Sequence, residues 1–322
     1  LVGSEMCIRD RSHIVMPLGA PLAKVQATRD YGATVYQSGD VVDDAYDYCM
    51  NLNKEHGYEF VHPYLDPDVI AGQGTIGLEI LEQVKNLDSV VISVGGGGLI
   101  SGAALALKEL NPKIKVYGAV AESAPGMYHL FKSKGKDVGS EAIPTIADGI
   151  AIKKPSLYIY ENYISKYVDD MVLVSEEEMA EAMVFLLERA KAVVEGAGAA
   201  GLAGAKKASK EWDLGDRTAV VLCGGNVDLN LLSTVIEKGL SKVGRMTRVK
   251  VATKDLPGNL HRLTAVLAEL DANIIDVTHD RVSAGLGIRE TLIEFLLDTK
   301  NDEHIKKIKA KFEALGVRVL EG

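Results

Sequence analysis

Cysteine is scarce in this chain. Cys7, Cys49 and Cys223 are the only three in 322 residues. They form neither an even disulfide set nor a spaced ligand pattern, which excludes a disulfide scaffold and fits a reducing cytoplasm. Positive charge is also in deficit, with 36 Lys and Arg against 45 Asp and Glu and a net charge of −9. Phosphate backbones are bound by surplus cations, so nucleic acid is not expected as a partner. No apolar run reaches the ~20 residues needed to cross a bilayer, because Lys, Glu, Asp or clustered Gly interrupts every candidate. No membrane association is therefore expected, and nothing at the front reads as a signal peptide. What is present is ordinary for a globular chain, at 47% hydrophobic and 25% charged residues. That composition excludes global disorder, and the length allows two or three domains.

The opening segment is unusual. It begins at Leu1, and residues 1–11 have neither helical nor strand periodicity before the apolar stretch His13–Pro17. It resembles translated sequencing-adapter read-through, so 1–11 is read as a foreign or disordered leader.

From Ser12 to about Leu240, short apolar strands alternate with helical patterns, the signature of a parallel sheet with crossover helices. Strands are expected at Ser12–Met16, Ala33–Tyr36, Ser89–Val94, Lys115–Ala121, Met171–Val174 and Arg217–Leu222. Helices are expected at Ala20–Tyr31, Val41–His56, Ile70–Val84 and Leu99–Leu110. Ser175 and Glu178 have capping-box spacing for a further helix. After Gly244 the order changes to βαββαβ, with strands Thr247–Thr253, Ile274–Val282, Thr291–Asp298 and Val317–Leu320. A helix to about Asp271 and another over Asp302–Leu315 complete it, with a glycine-bearing turn at Gly285 and Gly287. That order is a ferredoxin-like split βαβ module. The expected division is a leader 1–11, a small subdomain remnant 12–60, a large domain 61–242 and a terminal module 246–322.

The chemistry-bearing feature is Gly95-Gly-Gly-Gly98 followed by Leu99, placed between an apolar strand and a helix. Four residues without Cβ let successive backbone N–H groups turn toward one point, and the following helix adds the positive end of its dipole. This is a phosphate cradle, the competing reading being a tight turn packed without ligand. A Walker A loop is excluded, because the next lysine is Lys108. The dinucleotide pattern fails because its third glycine falls on Ile100 or Ser101. Glu122 at the end of the next strand keeps a nicotinamide reading open.

Further motifs accompany the loop. They are Val15-Met-Pro-Leu-Gly-Ala-Pro-Leu-Ala-Lys-Val-Gln-Ala-Thr-Arg-Asp-Tyr-Gly-Ala33, Ala71-Gly-Gln-Gly-Thr-Ile-Gly-Leu-Glu79, Thr145-Ile-Ala-Asp-Gly149, Glu195-Gly-Ala-Gly-Ala-Ala200 and Cys223-Gly-Gly-Asn226. In this order and spacing they resemble the threonine ammonia-lyase (threonine dehydratase) family of fold-type II pyridoxal-phosphate enzymes, over Ser12 to about Lys242. The terminal module, with Asp255-Leu-Pro-Gly-Asn-Leu260 as its first turn, resembles an ACT domain. The resemblance implies an α/β fold of the tryptophan synthase β-like type plus a ferredoxin-like ACT domain. It also implies pyridoxal 5′-phosphate as cofactor and deamination of L-threonine and L-serine in isoleucine synthesis or threonine catabolism.

The resemblance further assigns roles. Gly95, Gly96, Gly97, Gly98 and Leu99 would hold the cofactor phosphate, Cys223 would face the pyridine nitrogen, and Glu195 and Asn226 would support ring and loop. A neutral thiol at the nitrogen makes the ring a weaker electron sink than a carboxylate would. Gln73, Asp148 and Tyr64 are substrate-site candidates, each with an alternative as a packing or loop-anchoring residue. Glu122 ligates a cation in relatives, but Gly126 and Tyr128 stand at the companion positions here. A divalent metal is therefore not expected, and a monovalent cation or none is. Asp255, Leu256, Pro257, Gly258, Asn259 and Leu260 would bind an amino-acid effector, with Asn259 donating to its carboxylate. A dimerisation module without ligand is the alternative. A homodimer or homotetramer is expected, since an open sheet edge favours side-by-side pairing.

The family forms its Schiff base through a lysine in a Ser-x-Lys-x-Arg-Gly-Ala-like motif upstream of Met16-Pro17, and no such motif occurs here. The chain therefore reads as an N-terminally truncated fragment, inactive as written, of an enzyme. A serine racemase-like or other fold-type II enzyme is the alternative within the fold. A non-catalytic amino-acid sensor is the alternative outside catalysis.

Overall fold

The computed structural model describes residues 12–20, 22–40, 42–136, 139, 141–282 and 286–320. The leader 1–11, with Cys7, and the turn residue Gly285 lie outside the described residues. The chain divides into two compact units, one running through Leu231 and the other from Leu232.

The first unit opens with a two-stranded parallel sheet, β1 (His13–Met16) beside β2 (Thr34–Gln37), joined by α1 (Leu22–Asp30) and followed by α2 (Val42–His56). A helix α3 (Pro67–Gln83) leads into β3 (Ser89–Ser93), α4 (Gly98–Leu110) and β4 (Lys115–Ala121). Asp66 caps α3, its carboxylate accepting from the N–H groups of Asp68 and Val69, with Pro67 in the first turn. Pro lacks the N–H that a first helical turn leaves unpaired, so Asp-Pro is a start signal. The helix therefore begins one turn before the expected Ile70.

The remainder of the unit holds α5 (Gly126–Lys132), β5 (Asp170–Val174), α6 (Glu176–Phe185), α7 (Gly196–Ala208) and β6 (Thr218–Val220). Ser175 and Glu178 form both bonds of the capping box that opens α6. The helices α5 and α7 are not among the expected elements. Ten of the thirteen residues of α7 are alanine or glycine, with few large side chains, so no 3.6-residue apolar stripe marks it.

The second sheet is all parallel, in the order β5-β4-β3-β6. Every residue of β3 is buried, and so are six of the seven in β4. Helices cover both faces of such a sheet, which is why β3 reads Ser-Val-Val-Ile-Ser without alternation. Ile92, Val94, Ile100, Leu107, Val116 and Met171 lie in its main core.

A helix α8 (Leu229–Lys242) precedes the terminal elements β7 (Met246–Lys254), α9 (Asn259–Glu269), β8 (Asn273–Asp280), β9 (Glu290–Asp298), α10 (Asp302–Ala314) and β10 (Arg318–Leu320). The strands form one antiparallel sheet in the order β10-β7-β9-β8. This is the expected split βαβ topology. β9 alternates strictly between buried and half-buried positions, so Ile293, Phe295 and Leu297 face one core with Leu263, Ile308 and Phe312. No helix among the described residues is long and apolar enough to cross a membrane.

Among the described residues, one buried side-chain polar atom lacks a hydrogen-bond partner. Ser101 Oγ is fully buried in the first turns of α4 and has no hydrogen-bond partner. A buried hydroxyl without a partner carries its desolvation penalty uncompensated. Ser101→Ala is therefore expected to hold or raise stability by about 1 kcal/mol, read as the urea midpoint of the full chain. A lowered midpoint would mean that the hydroxyl is satisfied.

Candidate active site

In the order β5-β4-β3-β6 the chain leaves β3 toward β4 and β5, then returns on the opposite side of β3 as β6. Connections from adjacent strands that depart in opposite directions leave a crevice beyond the strands' carboxyl ends, where α/β sheets bind ligands. The two strands flanking this switch point carry the two motifs singled out above. Gly95–Gly98 follows β3, and Cys223-Gly-Gly-Asn226 follows β6, whose pairing to β3 continues through the Val221 N–H to Val91 O bond of 3.0 Å.

Each glycine of the first loop is required by its surroundings. Gly97 has φ +92°, a left-handed conformation, and stands as the N-cap of α4 without any side-chain cap bond. A methyl group on Gly95 would come within 2.7 Å of Ile150 Cα, and one on Gly96 within 2.5 Å of the Tyr64 ring. One on Gly98 would meet the Tyr64 backbone at 2.9 Å. The loop is held closely by Ile150 and Tyr64, and the helix that follows presents first-turn N–H groups that no side chain caps. Unpaired N–H groups together with the helix dipole make an anion site, so the residues present fit a phosphate group.

Cys223 stands beside this loop. Its Sγ lies 3.0 Å from Ser93 Oγ, and Ser93 is the last residue of β3. Burial pushes the thiol above its usual range, with the Glu195 charge adding to the rise and the Ser93 bond opposing it. The thiol is therefore neutral at physiological pH, which suits a group that would face a ring nitrogen without charging it.

Glu195 occupies the N-cap position of α7, but its side chain does not cap the helix. The Gly224 Cα lies against this carboxylate, since a methyl there would come within 2.1 Å of Oε1, and the Glu195 N–H donates to Gly224 O at 3.2 Å. Burial raises the Glu195 carboxyl above the ordinary carboxylate range, and Asp148 raises it further. The backbone N–H of Asn226 and the ammonium of Lys24 pull the other way. Glu195, Cys223 and Asn226 are thus brought together at the end of β6.

The other expected residues divide. Asp148 starts a short turn, Asp148–Ile150, whose Ile150 packs on Gly95, and a methyl on Gly149 would stand 3.6 Å from Glu195 Oε1. Glu176 holds the approach to this turn, accepting from the Thr145 hydroxyl and from the Ile146 N–H. Gln73 sits where α3 crosses α4, its Cβ against Gly102. Glu122 bonds the Lys207 ammonium at 3.2 Å, and Lys207 also reaches Glu178 at 2.9 Å. At Glu122, where a monovalent cation or none was expected, the structure places an ammonium from its own chain. Among the described residues no cluster of His, Cys, Asp and Glu is arranged to hold a metal ion.

In the second unit, Asp255 pairs with Arg281 at 2.8 Å. Gly258, with φ +90°, caps α9, while Leu256, Pro257 and Leu260 complete the turn. The Asn259 side-chain amide donates to Lys254 O at 2.7 Å and toward Thr253 Oγ1 at 3.4 Å. In this structure its amide donors close the loop. Closing this turn needs a donor on the first residue of α9, and Asn supplies one.

Two residues of the site were not anticipated. Ser93 had a visible signal, a polar residue directly after the apolar run Val90-Val91-Ile92. Ile150 had none, because its value lies in a backbone approach to Gly95 that no spacing reveals.

The raised Glu195 carboxyl has a stability consequence. A folded-state pKa above the unfolded value means that the folded chain binds this proton more tightly. The associated stability is fully present below the unfolded value near about pH 4 and is lost as pH rises through the folded value. Glu195→Gln is isosteric and uncharged. It is expected to exceed wild type in urea midpoint at neutral pH, with the gap closing as pH falls to about 4. Equal midpoints at neutral pH would contradict the raised value.

Comparison with known proteins bears on this arrangement. The family model described as pyridoxal-phosphate dependent enzyme matches residues 9–224. An L-threonine ammonia-lyase of Thermotoga maritima is 44% identical over 306 residues, covering 95% of this chain and 75% of that protein. Among solved structures, the processed form of threonine deaminase isoform 2 from Solanum lycopersicum superposes with TM-score 0.64 at 32% identity, over 71% of this chain and 66% of that one. Serine racemase from Dictyostelium discoideum gives TM-score 0.60 at 35% identity, over 68% and 70%. With the phosphate cradle and the Cys223 loop at one switch point, these matches place the chain in the pyridoxal-phosphate dependent enzyme family, among the L-threonine ammonia-lyases.

Proposed function

We propose that this chain supplies the cofactor-binding and regulatory parts of a pyridoxal-phosphate dependent lyase that deaminates L-threonine, and L-serine, to 2-oxobutanoate and pyruvate with release of ammonia. The observation that carries the reading is the meeting of Gly95–Gly98 and Cys223-Gly-Gly-Asn226 across the β3–β6 switch point. In this reading the Gly95–Leu99 amides hold the phosphate, and the neutral Cys223 thiol faces the ring nitrogen. Glu195 and Asn226 would fix the loop that carries Cys223. Tyr64 and Asp148 flank the site through their contacts with the glycine loop and with Glu195, and Gln73 belongs to the supporting helix crossing. When bound, pyridoxal 5′-phosphate supplies an electron-withdrawing ring that eases loss of an α-proton and a β-hydroxyl.

No Ser-x-Lys-x-Arg-Gly-Ala-like motif is found in residues 1–322. The chain as written is accordingly read as able to hold the cofactor but not to turn over substrate. The amino-acid chemistry and the three cysteines favour a cytoplasmic setting.

The second unit is read as an ACT module. Its strand order β10-β7-β9-β8 and the turn at Asp255–Leu260 support this. β8 is an edge strand with Ile275 and Val277 exposed, so side-by-side pairing of two modules into a homodimer, or a homotetramer, would cover them. A branched-chain amino acid, isoleucine first, is the effector this reading assigns to the Asp255–Leu260 turn. The alternative of a module that only dimerises is kept for the test below.

Three measurements check the reading. Equilibrium dialysis of the full chain against pyridoxal 5′-phosphate is expected to show binding, weakened at least tenfold in Gly97→Ala. That substitution strains a φ +92° position and drives a methyl to within 2.7 Å of Ile159 Cγ2. Equal affinity of wild type and variant would remove the phosphate loop from the site. 2-Oxobutanoate formation from threonine is expected to stay at the no-protein control, and turnover above it would overturn the inactive reading. Calorimetry with isoleucine is expected to show heat of binding, whose absence would leave the module a dimerisation unit.

A further inference from the structure

The glycine loop rests on Tyr64, which raises the question of what fixes Tyr64. The ring of Tyr64 abuts Gly96, and its Cα and Cβ abut Gly98 closely enough that a methyl on either glycine would collide. Two residues earlier, His62 Nδ1 accepts the N–H of Tyr64 at 3.3 Å and that of Leu65 at 3.2 Å. The two rings meet edge to face, with centroids 4.5 Å apart. The His62 ring also lies beside those of Tyr46 of α2 and Phe60, with centroids 5.8 and 5.7 Å away. Directly after it, Asp66 takes the N–H groups of Asp68 and Val69 to start α3, while Leu65 packs on the main core. The segment 62–66 is therefore set by two successive side-chain acceptors.

The chemistry at His62 has one requirement. An imidazole accepts at Nδ1 only when that nitrogen is unprotonated, so the ring must be neutral with its proton on Nε2. Burial lowers the His62 imidazole pKa, against an opposing pull from Asp66, and so favours that state.

We propose that His62 is a positioning residue for the phosphate-binding loop. Its Nδ1 fixes the backbone of Tyr64, and Tyr64 in turn forms the wall on which Gly96 and Gly98 rest. This rests on the reading of Gly95–Leu99 as the phosphate site, and the test separates the two. Asparagine at 62 keeps an acceptor that reaches the N–H two residues on, as Asn does in an Asx turn. Phenylalanine keeps the aromatic packing and loses the acceptor.

The experiment compares full-length wild type, His62→Asn and His62→Phe in two readouts. One is affinity for pyridoxal 5′-phosphate by equilibrium dialysis. The other is amide hydrogen exchange in the free chain. His62→Phe is expected to weaken the cofactor at least tenfold and to speed exchange at least tenfold at Tyr64, Leu65 and Gly96–Gly98. Exchange at Val91 and Ile92 in β3 should be unchanged. His62→Asn is expected to restore both readouts to within about threefold of wild type. With Tyr64→Ala already present, His62→Phe should add nothing at the loop, since coupled residues are not additive. If wild type fails to bind the cofactor while His62→Phe still speeds loop exchange, the phosphate reading falls and the positioning role stands. If His62→Phe matches wild type in loop exchange, or if His62→Asn and His62→Phe are equally impaired, the positioning role is overturned.

Discussion

The crevice beside β3 is where the physical demands of the first unit meet. β3 is buried on both faces, so its carboxyl end is positioned by the whole sheet and cannot drift. Its backbone groups must turn sharply there to enter α4, and the switch in strand order removes the connection that would otherwise cover them. Cβ atoms at 95, 96 and 98 would collide with Ile150 and Tyr64, and one at 97 would collide with Ile159. Given those glycines, α4 begins directly after β3 with no side-chain cap bond at its N-cap. An anion at this point completes what the helix terminus lacks, which is the same physics whether the ligand is a cofactor or a free phosphate.

The support around this crevice comes from residues distant in sequence. Tyr64 arrives from the loop before α3, Ile150 from a turn held through Glu176, and Cys223 from the strand that closes the sheet on the other side. None of these contacts is strong alone. A neutral hydrogen bond contributes roughly 1 kcal/mol net, and the Cys223–Ser93 contact involves a weak sulfur donor. What they share is a rigid reference, the β3–β4 pair, against which each is measured. Lys207 acts similarly at the end of β4. It joins Glu122 to Glu178, and so ties the end of β4 to α6 through two ion pairs that remain partly exposed and correspondingly weak.

Much of this was legible in the sequence because the physics was local. Lys115–Ala121 reads as a strand from its apolar run, and Ser175 with Glu178 reads as a capping box from spacing alone. Both are found as expected. The βαββαβ order of the second unit follows from alternation in strands such as β9, where one face is buried. The glycine loop was legible because four consecutive residues without side chains have few uses. What was not legible depends on tertiary approach. Asn259 carries a donor suited to a carboxylate, yet the carbonyl of Lys254 lies closer and takes it. Glu122 has the chemistry of a cation ligand, but the ammonium that meets it comes from Lys207, 85 residues away. His62 gives no signal as a site residue, because its role is to accept two backbone donors, and many histidines could do so.

The state of Cys223 shows how burial selects chemistry here. A carboxylate at the end of β6 would need compensation for its lost hydration, either from a cation or from several hydrogen bonds. Ser93 offers one hydroxyl, and the nearby charge, Glu195, is of the wrong sign. A thiol avoids that cost, because burial and the Glu195 charge keep it protonated while it remains small enough to sit between two glycine-rich loops. The same two influences would resist a proton leaving Cys223 and leave a ring nitrogen opposite it without a charged partner. The weakened acidity of Glu195 and the neutrality of Cys223 are therefore linked: both come from one desolvated corner between α7 and the end of β6, where Asp148 raises Glu195 and Glu195 raises Cys223, while the Asn226 N–H and Lys24 oppose the first shift.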